Sequence, residues 1–146
     1  NTTVTKIQNG YKINGTKRWI GNGNKDLLVS WVKNTENKKV EAFILETKDL
    51  KGWTSEVIQN KIGLRVVQNC HITMKDVIVP ESQKLPHAID FQNGTNRILK
   101  HSRIFVCWVA AGIAMGAYDN AIQYTSKRHQ FGRPISGKYS VIKASN

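Results

Sequence analysis

The chain predicts an α+β protein: an antiparallel β-barrel or sandwich followed by the first long helix of an α-helical bundle domain. Three observations carry this. Short runs of alternating polarity, separated by Asn-Gly pairs, fill the first half. Pro80 and Pro86 then bracket a polar stretch. Beyond about Asn96 the apolar spacing switches from two to three or four, with no proline between Pro86 and Pro134.

The strands follow in order. Asn9-Gly10 separates Val4–Ile7 from Tyr11–Ile13, and Asn14-Gly15 separates that run from Lys17–Ile20. Both turn positions tolerate positive φ, so each pair predicts a hairpin. Leu27–Val32 and Val40–Leu45 form a further strand pair across the polar loop Asn34–Lys39. Trp53–Ile58 and Cys70–Val79 supply the last strands. These place a β domain at residues 1–86 and the start of a helical domain at 87–146. One helix is expected from Asn96 to Arg128. Its amphipathic face carries Ile98, Ser102, Phe105, Val109, Ile113 and Ala117. Gly112 and Gly116, one turn apart, suit close approach of a second helix. A helix this long needs neighbours to bury its face, and no further helix is legible after Gly132.

The 146 residues hold 22 Lys and Arg against 10 Asp and Glu, a net charge of +12. That balance favours anionic partners without choosing among them. The charges are spread along the chain rather than gathered in a stripe, which argues against nucleic acid. Cys70 and Cys107 fit neither a disulfide framework nor a metal knuckle, so two buried free thiols in a reducing compartment and no metal site are expected. The apolar stretch from Ile104 to Ala117 falls short of the ~20 residues that cross a bilayer, so no membrane span is expected. No signal peptide is legible at Asn1, and the absence of an initial Met leads us to expect that residues precede it.

Two segments carry chemistry. Lys17-Arg18-Trp19-Ile20-Gly21-Asn22-Gly23 sets an indole between a basic pair and a flexible turn. Such a combination suits a planar cofactor held against a sheet edge, or equally a hairpin with a half-buried Trp. Arg128-His129-Gln130-Phe131-Gly132 is the second segment. In this order, with Gly10–Gly15, Asn60–Asn69 and Pro134-Ile135, these stretches resemble the acyl-CoA dehydrogenase and acyl-CoA oxidase superfamily. The plant peroxisomal short-chain oxidase branch is the most similar in look.

The resemblance implies a β domain and a helical domain that hold flavin adenine dinucleotide (FAD) between them. It implies cofactor contacts at Trp19, Ile20, Gly21, Arg128, Gln130 and Phe131. Lys100, His101, Ser102 and Arg103 fall where the family meets its acyl-CoA substrate. The Arg128–Phe131 segment would reach the cofactor of a neighbouring subunit in a homo-oligomer. Gly21, standing where many dehydrogenases carry Thr or Ser, points to the oxidase branch, and with it to a peroxisome; the dehydrogenase branch implies a mitochondrion. The family's catalytic glutamate corresponds to no position here, so no catalytic residue is assigned. The chain is therefore expected to be a fragment that does not oxidise acyl-CoA alone and self-associates through its helix. Two other functions stay open. One is a basic β-rich module binding nucleic acid or membrane through Tyr11, Trp19 and Trp31. The other is a non-catalytic oligomerisation fragment.

Overall fold

The computed structural model describes residues 2–137. The strands are β1 (Thr2–Ile7), β2 (Gly10–Gly21), β3 (Leu27–Asn34), β4 (Val40–Glu46), β5 (Trp53–Val57) and β6 (Asn69–Val79). The helix α1 spans Thr95–Lys127, followed by β7 (His129–Gln130) and β8 (Arg133–Pro134). By contacts the chain divides into two units, Asn1–Ile98 and Leu99–Asn146.

The first unit is a curled six-stranded sheet in the order β4-β3-β1-β2-β6-β5. All its pairings are antiparallel except β1 with β3, which run parallel through Thr3–Lys33 and Val4–Asn34. The sequence predicts antiparallel pairing throughout. The parallel pair arises because the polar Asn22–Asp26 connection returns the chain to the far side of β1. Alternation places Val4, Ile13, Val32, Phe43, Leu45, Cys70, Ile72, Val77 and Val79 on the buried face. Tyr11 meets Phe43 edge-on, with ring centroids 5.0 Å apart.

One predicted hairpin is corrected. Asn14-Gly15 does not end a strand; β2 runs through it as a bulge, with the β6 register shifting between Ile13 and Gly15. The physical reason is cross-strand. Asn14 Oδ1 accepts from the Asp76 amide at 2.8 Å, and its Nδ2 donates to the Asp76 carboxylate at 3.0 Å. The amide side chain thus satisfies the irregular backbone that a turn would otherwise have closed.

Beyond β6 the chain is tied back to the sheet. Lys84 bridges to Phe43, Leu85 N donates to the Ala42 carbonyl, and Lys84 Nζ lies 3.0 Å from Glu41 Oε2. Glu41 is 3% exposed and also accepts from Asn34 and Asn37. Burial alone would raise the Glu41 pKa; hydrogen bonds from Asn37, Lys84 and Asn34 outweigh it and hold the group below its ordinary value. Glu41 in turn raises Lys84 against its own desolvation.

The helix begins where Gly94 packs under the Trp31 ring. A Cβ there would lie 2.5 Å from Trp31 Cζ3, so only glycine fits. α1 contributes no buried residue. The expected amphipathic stripe is only half of the pattern, because Ile104, Trp108, Met115 and Ile122 form a second apolar row at heptad-like spacing and are all exposed. Cys107, expected to be buried, is exposed with them, while Cys70 is buried. The helix also has 33 residues and a window of mean hydropathy 1.4, long and apolar enough to cross a bilayer. This rests on length and composition alone, and the interior of a helical bundle asks for the same apolar surface.

Candidate functional site

A second bulge, between Lys17 and Ile20, builds the site in the first unit. It places Trp19 at φ 65, a region that a bulky residue enters only under constraint. The indole consequently turns outward and is 58% exposed. The Arg18 guanidinium lies over its ring, 5.4 Å from the centroid. Trp19, residues 58–64 and Asn69 line a groove of about 470 Å³. That volume lies within the range of small-molecule sites.

The sequence groups Trp19, Ile20 and Gly21 together, and the structure gives them different tasks. Ile20 packs against the core and anchors the segment. Gly21 is exposed, and a Cβ there would meet only Val67 at 3.5 Å, an ordinary contact. Sheet packing therefore does not require a glycine at 21. Gly23 is different: its Cβ would sit 2.9 Å from Ile72 Cδ1 and 3.0 Å from Cys70 Cβ.

β1 pairs with β2 only as far as Gly15, so among the described residues Lys17–Gly21 is paired only on the β6 side. Lys17 Nζ crosses the gap and donates to the Trp31 carbonyl at 2.5 Å. Burial lowers its pKa. The loop below the groove was missed as site structure by sequence reasoning. Its apolar residues Ile62, Leu64 and Val66 alternate as a strand would, yet they are 98%, 73% and 96% exposed. Loop geometry is set instead by positive φ at Asn60 and Leu64 and by the Lys61 ammonium. The one available signal was the run of turn formers Asn60, Gly63 and Asn69.

This donor set fits a flavin ring. The exposed indole offers an aromatic face, Ile58, Ile62 and Leu64 offer an apolar wall, and the bulged backbone of β2 offers polar groups. None of the groove's lining residues is a carboxylate. Tyr11, by contrast, is 4% exposed and committed to the core, which removes one of the three aromatics a single-strand-binding surface would use.

In the second unit, Lys100 and Arg103 lie three apart and share one face of α1; His101 and Ser102 face elsewhere. The Ser102 hydroxyl donates back to the Leu99 carbonyl at 3.3 Å. Arg128 N caps the helix on Tyr124 O, and its carbonyl accepts from Ile135 N at 2.9 Å. Gln130 pairs with Arg133 in the β7–β8 hairpin. Phe131 and Gly132 take φ 53 and 76, the two positive values of a type I′ turn, so Phe131 stands at the tip, 89% exposed. The sequence did not suggest this hairpin, since Phe-Gly is not its usual dipeptide.

Comparison with known proteins accords with this architecture. Residues 1–77 match the acyl-CoA dehydrogenase middle domain, and residues 93–143 match the acyl-CoA dehydrogenase C-terminal domain. The chain belongs to the acyl-CoA dehydrogenase family. It is 31% identical to benzylmalonyl-CoA dehydrogenase of Aromatoleum aromaticum over 92% of this chain and 36% of that protein. It is 30% identical to the mitochondrial short/branched chain specific acyl-CoA dehydrogenase of Rattus norvegicus, covering 92% of this chain and 32% of the relative. Among solved structures, glutaryl-CoA dehydrogenase from Mycobacterium smegmatis in complex with FADH2 superposes with a TM-score of 0.88 at 27% identity, over 99% of this chain and 37% of that one. The chain thus spans about a third of the length of these relatives.

Proposed function

We propose that this chain is the flavin-contacting portion of an enzyme that forms the α,β double bond of an acyl-CoA thioester, with residues 1–86 as the β domain and 87–146 opening the helical domain. The observation that carries the proposal is the strained, outward-turned Trp19 on a β-bulge at the rim of a groove. FAD, when bound, supplies the hydride acceptor. The chain's own residues orient it. Trp19 would offer its aromatic face to the ring, the Lys17–Gly21 backbone its polar groups, and Ile58 and Leu64 an apolar wall. Arg128 offers a planar donor fork to a pyrophosphate, with Gln130 and Phe131 beside it, across a subunit contact in a homo-oligomer. Lys100 and Arg103, on one helix face, meet anionic groups of the acyl-CoA. Removal of the α-proton falls to a carboxylate outside the groove, since its lining holds none.

The relatives named above are dehydrogenases, one of them mitochondrial, which favours a dehydrogenase in that compartment. A second reading, a peroxisomal oxidase, is favoured by Gly21, which leaves only backbone groups at its position without any packing need for glycine.

The test is a chimera carrying this chain in place of the matching region of the Mycobacterium smegmatis enzyme. Trp19→Ala in it should cost about 1–3 kcal/mol of flavin binding, as loss of an aromatic stack does elsewhere. Undiminished flavin absorbance after purification would refute the assignment. Peroxide release against dye reduction then separates oxidase from dehydrogenase.

A further inference from the structure

The bulge that aims Trp19 is not held by the sheet alone. Asn69 Nδ2 donates to the Trp19 carbonyl at 3.1 Å. The other end of the same amide, Oδ1, accepts from the Lys61 ammonium. Lys61 Nζ also donates to the carbonyls of Leu64, at 2.8 Å, and Val67. All three of its protons are therefore used inside one loop, and none meets a carboxylate. Arg65 Nε closes the loop from outside, donating to the Lys61 carbonyl at 3.0 Å. The lysine also fixes the amide's orientation, because only Oδ1 accepts from an ammonium and Nδ2 is then left for Trp19.

We infer that Lys61 and Asn69 are positioning residues: the relay from ammonium to amide to backbone carbonyl sets the shape of the Trp19 groove. Three positive-φ residues, Trp19, Asn60 and Leu64, lie within its reach, and such backbone persists only where its surroundings over-determine it. The loop has no apolar core of its own, with Ile62, Leu64 and Val66 all exposed, so polar contacts must do this. The role of the relay in cofactor binding rests on the flavin assignment above; its hold on the groove does not.

Hydrogen exchange by mass spectrometry on the 146-residue chain tests the relay, and the same measurement on the chimera described above with added FAD tests its link to the cofactor. Lys61→Met should speed exchange of the Val67 and Asn69 amides at least tenfold, with β3 and β4 unchanged. Lys61→Arg, which keeps a cation and several donors, should recover most of that protection. Asn69→Asp keeps an acceptor for Lys61 and loses the donor to Trp19. It should leave the loop protected while exchange rises at residues 19–22. Asn69→Leu should loosen both segments. Loop exchange unchanged in Lys61→Met, or identical patterns in Asn69→Asp and Asn69→Leu, would overturn the relay. If the variants behave as expected and FAD protects neither residues 19–22 nor 59–69 in the chimera described above, the relay stands and the flavin assignment fails.

Discussion

In the β unit Val4, Ile13, Phe43, Leu45, Ile72, Val77 and Val79 are wholly buried, whereas α1 contributes no buried residue. The helix is the more apolar of the two regions, and they put their apolar residues to opposite uses. The sheet curls so that its own alternate residues form a core, and it closes polar irregularities with its own side chains, as at Asn14 and Glu41. The helix carries two apolar rows and meets its backbone needs internally, but among the described residues nothing covers them. Stability of the first region is therefore written in its packing. That of the second depends on what docks against it.

Substitutions sharpen this contrast. The largest effect is expected at Phe43, fully buried against Tyr11: Phe43→Ala should cost about 3–5 kcal/mol in urea unfolding followed on the β signal. A loss below 1 kcal/mol would mean that the sheet has no tight core. Next is Glu41→Ala, which strands Lys84 and two asparagines; we expect about 3 kcal/mol, at the low end for breaking a buried pair because Lys84 keeps partial water contact. The same pair sets a pH signature. Glu41 is depressed below 4.5, so its contribution is complete above that value and disappears as pH falls through its lower folded pKa. Lys84 is raised above 10.5, so its contribution holds below that value and is lost as pH rises through the folded one. Glu41→Gln should flatten the acid limb of a stability-versus-pH curve; an unaltered limb would assign it to other carboxylates.

Gly23→Ala should cost about 1–3 kcal/mol, since its methyl must displace Ile72 or Cys70. The smallest effect belongs to the helix. Trp108→Ser and Ile113→Ser should leave β-unit unfolding within about 0.5 kcal/mol. The same changes should reduce concentration-dependent association in size exclusion. A large shift in β-unit stability would contradict the contrast.

Strand identities were legible because stretches of alternation survive between the bulges from Thr2 to Val79, and the helix because its spacing and its freedom from proline run together. Asn14-Gly15 misled because local turn chemistry lost to a partner 62 residues away, Asp76, which no local pattern reveals. The parallel β1–β3 pair was hidden for the same reason. At the site, Trp19 was legible by its flanking basic and glycine residues. Lys61 and Asn69 were not, since their role rests on carbonyls converging in space. Sequence also grouped Lys100 to Arg103 as one set, while helix geometry splits it into two faces.

The order β4-β3-β1-β2-β6-β5 sets a timetable for folding. β1 is enclosed between β3 and β2, and β2 must wait for β6, with Tyr11 finding Val79. A chain emerging residue by residue can close the β1–β2 and β3–β4 hairpins early, but it leaves the second edge of β2 bare until β6 has appeared. Such non-local closure belongs to the slow, millisecond-to-second class of folding. During that interval the Tyr11–Gly21 edge is the segment most in need of a chaperone.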